Sequence, residues 1–146
     1  MFFHSEKAKE IISRQKQMDI SVVQRVKASL SRKGVILEQS EEWDAYLVSQ
    51  GMEATTFSDG TMIMHTKVSA SGFFEELIHY GQIKSGRATY GDEETLLLLE
   101  IEAKERLIAN RMVYEITDFE IEVLTEVLNQ YRTKLGNIRK GGLKRV

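Results

Sequence analysis

Cysteine and proline are both missing from the 146 residues. Without cysteine the chain has no disulfide, no thiolate metal ligand and no thiol nucleophile. Without proline, no turn or helix start relies on a ring-fixed φ. Long apolar runs are missing as well: nothing approaches the roughly 18 apolar residues that a membrane-crossing helix needs. The opening residues "MFFHSEKAKE" lack the cationic start and apolar stretch of a secretory leader. Together these absences predict a soluble, unprocessed chain with no membrane partner. It is expected to be cytoplasmic, or exported by a route that the sequence does not display.

What is present is ordinary for a globular protein, with 42% hydrophobic and 29% charged residues. A chain of this length fits one compact domain with a real core. The net charge of −2 conceals an asymmetry. Residues 132–146 carry Arg132, Lys134, Arg139, Lys140, Lys144 and Arg145 and no acid, which makes this end +6 and the rest −8. Residues 136–146 are expected to be a flexible basic tail, solvated or touching an acidic partner. A nucleic-acid partner would need a basic recognition helix, and the acidic body argues against one.

The periodicities predict an α+β domain, mostly helical, with a small antiparallel sheet formed by a hairpin near residues 53–67. Two helices open the chain, over 5–17 and from Asp19 to a stop at Gly34. A short strand, "VILEQ", precedes a helix that starts after Ser40 and stops at Gly51. Ser58-Asp59-Gly60 is the predicted hairpin turn. The strand from Thr61 to Thr66 puts Met62 and Met64 on the face opposite Ile63 and His65, and is expected at a sheet edge. A helix over about 71–85, a loop "GRATYGDE", and a helix from Asp92 to about Met112 follow. Thr117-Asp118-Phe119-Glu120 reads as a capping box for a last helix that ends near Gly136.

The chemistry gathers in "FFEELIHYGQ", residues 73–82. Glu75, His79 and Gln82 stand at i, i+4 and i+7 and so share one stripe of a helix. Carboxylate and imidazole are both competent zinc ligands. Glu76, about a quarter turn away, is placed to hold and deprotonate a metal-bound water. A third ligand candidate is Glu100, on a face with Leu96, Leu97, Ala103 and Leu107, where a carboxylate needs a charged partner. A salt bridge from Arg87, Lys104 or Arg106 would serve equally well. Glu102 and Glu105 lie off that stripe and are explained by exposure. A carboxylate-rich iron or manganese site would want a second Glu-x-x-His pair on a separate helix, and none exists. His65 reads as a half-buried polar residue at a strand end, and His4 belongs to an N-terminal arm.

The runs "EATTFSDGTMIMHTKVSASGFFEELIHYGQIKSG" and "LEIEAKERLIANRMVYEIT" resemble the zincin-like metallopeptidase domains of bacterial polymorphic toxins, in the pattern of the minimal gluzincins. The resemblance covers residues 50–132 and makes 51–135 the zincin-like core, with 1–50 as an added N-terminal part. It implies a zinc-dependent peptidase acting on a protein or peptide, with another divalent metal as the alternative ion. By that likeness Glu76 is the general base, and His79 and Glu100 are metal ligands with Glu75 as the third. Gln82 matches the glutamine that follows the motif histidine, and the 61–66 strand would align the peptide by β-augmentation. The sequence departs from the pattern at Glu75, where most zincins have histidine. A carboxylate there makes the site harder, more negative and weaker as a Lewis acid. The alternative implied by that departure is an inactive zincin-like module that works by protein binding.

Overall fold

The computed structural model describes residues 5–87 and 92–143. His4, residues 88–91 of the predicted loop, and Lys144 and Arg145 lie outside them. The described residues form helices α1 (Ser5–Arg14), α2 (Ile20–Arg32), α3 (Glu41–Ser49), α4 (Ala70–Lys84), α5 (Glu93–Ala109) and α6 (Asp118–Leu143). Strands β1 (Leu37–Glu38), β2 (Ala54–Thr56) and β3 (Met62–Met64) complete an α+β fold, mostly helical, with one small sheet. No described helix is long and apolar enough to cross a membrane.

Local chemistry sets the element ends. The side chains of Asp19, Ser40, Ser69 and Asp92 accept from backbone N–H groups in the first turns of α2, α3, α4 and α5. The capping box at α6 closes in both directions: Glu120 N donates to Thr117 Oγ1 at 3.2 Å, and Thr117 N donates to Glu120 Oε2 at 2.9 Å. In the hairpin, Phe57 N donates to Thr61 O at 2.8 Å, and Gly60 takes a φ of +91° in the three-residue loop.

Three expectations are corrected. The strand after the turn is not at an edge: the order is β1-β3-β2, with β1 parallel and β2 antiparallel to β3. Flanked on both sides, β3 buries Met62, Ile63 and Met64 together, so its two faces do not divide into core and solvent. The edge strand beside α4 is β2. The last helix also continues past Gly136 to Leu143. A glycine there costs about 1 kcal/mol relative to alanine. Against that cost, Leu135 is buried, and Lys134 and Arg139 pair with Glu93 and Glu94 of α5 at 2.8 and 2.7 Å. In addition, α5 ends at Ala109, short of Met112, with Asn110 as its C-cap.

The first turn of α4 is held by a buried polar chain. Glu53 accepts from Ser69 N at 2.7 Å and lies within 2.8 and 3.0 Å of Ser69 Oγ. Ser69 Oγ meets Ser71 Oγ at 3.0 Å, and Ser71 Oγ meets Glu120 Oε1 at 3.1 Å. Ser69 Oγ donates to Glu53 and Ser71 Oγ donates to Glu120, so each carboxyl is met by a hydroxyl donor. Burial pushes the Glu53 carboxyl up to about 7 against the pull of the Ser69 hydrogen bonds, and the Glu120 and Glu75 charges add to the push.

A carboxyl raised from 4.5 to about 7 stabilises the fold below the lower value, and that contribution is lost as pH rises through the upper one. Glu53→Gln should therefore gain on the parent by about 2–3 kcal/mol between about pH 5 and pH 8. Urea unfolding of both proteins across that range measures it, and parallel curves would contradict it. The chain also dictates glycine at position 72, because a Cβ there would sit 2.6 Å from Glu53 Cδ and Oε1. Gly72→Ala should cost about 1–3 kcal/mol in chemical denaturation; an unchanged midpoint would mean that Glu53 is not packed on this turn.

Candidate metal centre

α4 lies between β2 and the α5–α6 pair, so it is covered on most sides. Phe73 and Ile78 are buried, and Glu75, Glu76 and Gln82 are buried with them. The stripe expected from the spacing forms: Glu75, His79 and Gln82 face α5. Glu75, His79 and Glu100 each offer a ligand atom within 4.8 Å of the others, so they form a group that can hold a metal ion. His79 Nε2 contacts Glu100 Oε1 at 2.9 Å, and His79 Nδ1 contacts Gln82 Oε1 at 2.8 Å.

Of the three bases named for Glu100, the structure selects Lys104. Its ammonium, fully buried, donates to Glu75 Oε1 at 2.5 Å and to Glu100 Oε2 at 2.8 Å, and lies 4.9 Å from the Tyr131 ring centre. Among the described residues it is the one buried cation, set against the buried carboxyl groups of Glu53, Glu75, Glu76 and Glu120. The face assigned to Glu100 needs adjustment: Leu96 is 51% exposed, and the buried stripe runs through Leu97, Ile101 and Lys104. Counting from Leu97 at i, i+4 and i+7 would have put Lys104 in the core.

The charges shape each other. Burial pushes the Glu75 carboxyl up, but the positive charges around it, Lys104 foremost and His79 with it, together hold it below the usual range. Burial likewise pushes Glu100 up, and the His79 hydrogen bond and Lys104 charge bring it well below the usual range. For His79, burial pulls down, while the Glu100 hydrogen bond and the charges of Glu100, Glu76 and Glu75 push the imidazole up to about 9. In the absence of a metal His79 is thus an imidazolium at neutral pH.

Glu76 stands apart from this pairing. Its Oε1 accepts from Thr56 Oγ1 of β2 at 2.8 Å, and burial raises its carboxyl despite the His79 charge. Glu102, set aside as exposed, is half-buried and takes part: Arg87 Nη1 donates to its Oε1 at 2.7 Å, and Gln82 Nε2 donates to the same oxygen at 3.1 Å. Glu105 is exposed, as expected, and pairs with Arg132. His65 is placed elsewhere: its Nδ1 accepts from Lys67 N at 3.0 Å, and its Nε2 lies 3.8 Å from Asp44.

The donor set can hold a divalent cation in type and spacing, one imidazole nitrogen and two carboxylate oxygens. Lys104 binds one oxygen of each carboxylate, which offsets the excess negative charge noted at Glu75. The chain has no significant match to a protein-family model, a curated protein or a solved structure.

Proposed function

We propose that this chain is a metal-dependent peptidase-like domain, a zinc hydrolase of the kind found in bacterial toxins or mobile-element effectors. The observation that carries the reading is the convergence of Glu75, His79 and Glu100 from two helices, with Glu76 buried at the next position of α4 and its charge acting on His79. Zinc held there would supply a Lewis acid for a scissile carbonyl. The protein's own groups then have distinct tasks. Glu76, with its carboxyl raised by burial, takes a proton from water at the oxygen not bound to Thr56 and returns it to the leaving amine. Glu100 and His79 orient each other, and Lys104 keeps Glu75 and Glu100 from repelling.

One observation favours a second reading. The Lys104 ammonium already supplies a cation to both carboxylates, as it would in an inert zincin-like module that acts through protein binding. Hydrolysis of a labelled, unfolded protein such as casein, with zinc added, separates the two. Activity that falls about 100-fold or more in Glu76→Gln, with zinc still bound, supports the peptidase. Bound zinc with no activity in parent or variant supports the inert module and ends the peptidase reading.

A further inference from the structure

We propose that Gln82 is the positioning residue of this centre: it fixes the His79 ring so that Nε2 is the nitrogen presented to a metal. The inference rests on the metal-site reading above only for its last step.

The orientation of the Gln82 amide is settled by its partners. Gln82 Nε2 lies 3.1 Å from Leu99 O and 3.1 Å from Glu102 Oε1, and both of those atoms only accept. The amide nitrogen must therefore point at α5, where its two hydrogens are both used. The amide oxygen is left facing His79 Nδ1 at 2.8 Å, and since it too only accepts, Nδ1 must carry a hydrogen. Turning the amide over would set its oxygen against a carbonyl and a carboxylate at once. Nδ1 thus holds its hydrogen toward Gln82, and Nε2 is the atom that faces Glu100.

The hold on His79 reaches the surface. Arg87 grips both oxygens of Glu102, Glu102 grips the Gln82 amide, and Gln82 grips the ring. Outer partners of this kind fix the tautomer and direction of a ligating imidazole. Gln82 is buried on α4 while Glu102 and Leu99 belong to α5, so the same contacts tie the two helices that supply the ligands.

The test uses the full chain with nitrogen-15 histidine and Zn²⁺ as the only added ligand. In the metal-free parent, the His79 Nδ1 proton should be visible and protected from exchange; on adding Zn²⁺, Nε2 should show coordination while Nδ1 keeps its proton. Gln82→Met should abolish the protection and weaken zinc by about 10–100-fold. A Gln82→Met protein with an unchanged Nδ1 signal and zinc affinity would overturn the proposal, as would coordination through Nδ1 in the parent. If the parent binds no zinc, the metal reading fails by itself, and the metal-free signal still decides whether Gln82 holds the ring.

Discussion

Lys104→Met should cost about 3–5 kcal/mol of folding stability, the scale expected when one partner of a buried ion pair is removed. Methionine fills the space of the lysine stem but leaves Glu75, which is 4% exposed, and Glu100 without the cation that lies 2.5 and 2.8 Å away. Part of the loss should depend on pH. Glu75 and Glu100 are held below the ordinary carboxyl range, so their contribution is present above about 4.5 and is lost as pH falls. In the variant their pKa values rise, and the deficit should shrink toward acid. Zinc should return part of it: at about 100 times its dissociation constant, an ion that binds only the folded chain adds about 2.7 kcal/mol. Urea unfolding with and without zinc measures both effects. A variant as stable as its parent at neutral pH would show that Lys104 does not sit between the two carboxylates.

The approach of α4 to α5 was legible because it rests on spacing. Glu75 and His79 lie one turn apart, and the carboxylate of Glu100 needed a charged partner wherever its helix packed. Which partner it had was not legible, since Arg87, Lys104 and Arg106 are all within reach in sequence. The face assigned to Glu100 takes in Leu96, which is exposed, along with the buried Leu97, Ala103 and Leu107, and leaves out Ile101 and Lys104, which are buried. The tail was misjudged for a related reason. Glycine stops a helix only when the chain needs a left-handed residue there, whereas the pairs from Lys134 and Arg139 to α5 hold α6 straight through Gly136.

The sheet order was hidden because β1 is two residues long and pairs parallel with β3, and no local pattern announces a partner that brief. Glu53 illustrates a different limit. At the entrance to β2 no local pattern marks it for burial, and only the close approach of Gly72 with Ser69 and Ser71 makes a buried carboxyl tolerable. Glu120 was legible as a capping residue, but its second contact, with Ser71 across 49 positions of sequence, was not.

Zinc stoichiometry tests the central claim most directly. The protein, purified without chelator and analysed by mass spectrometry and calorimetry, should hold about one zinc ion per chain, through His79, Glu100 and Glu75. His79→Ala removes the one imidazole of the group and should weaken zinc by more than the roughly 100-fold that a lost outer partner costs. Binding should also release a proton, because His79, pushed up to about 9, must give up the Nε2 hydrogen to coordinate. A parent protein that takes up no zinc at neutral pH, or a His79→Ala variant that binds it as tightly, would contradict the account: Glu75, His79, Glu100 and Lys104 would then be a closed ion-pair network.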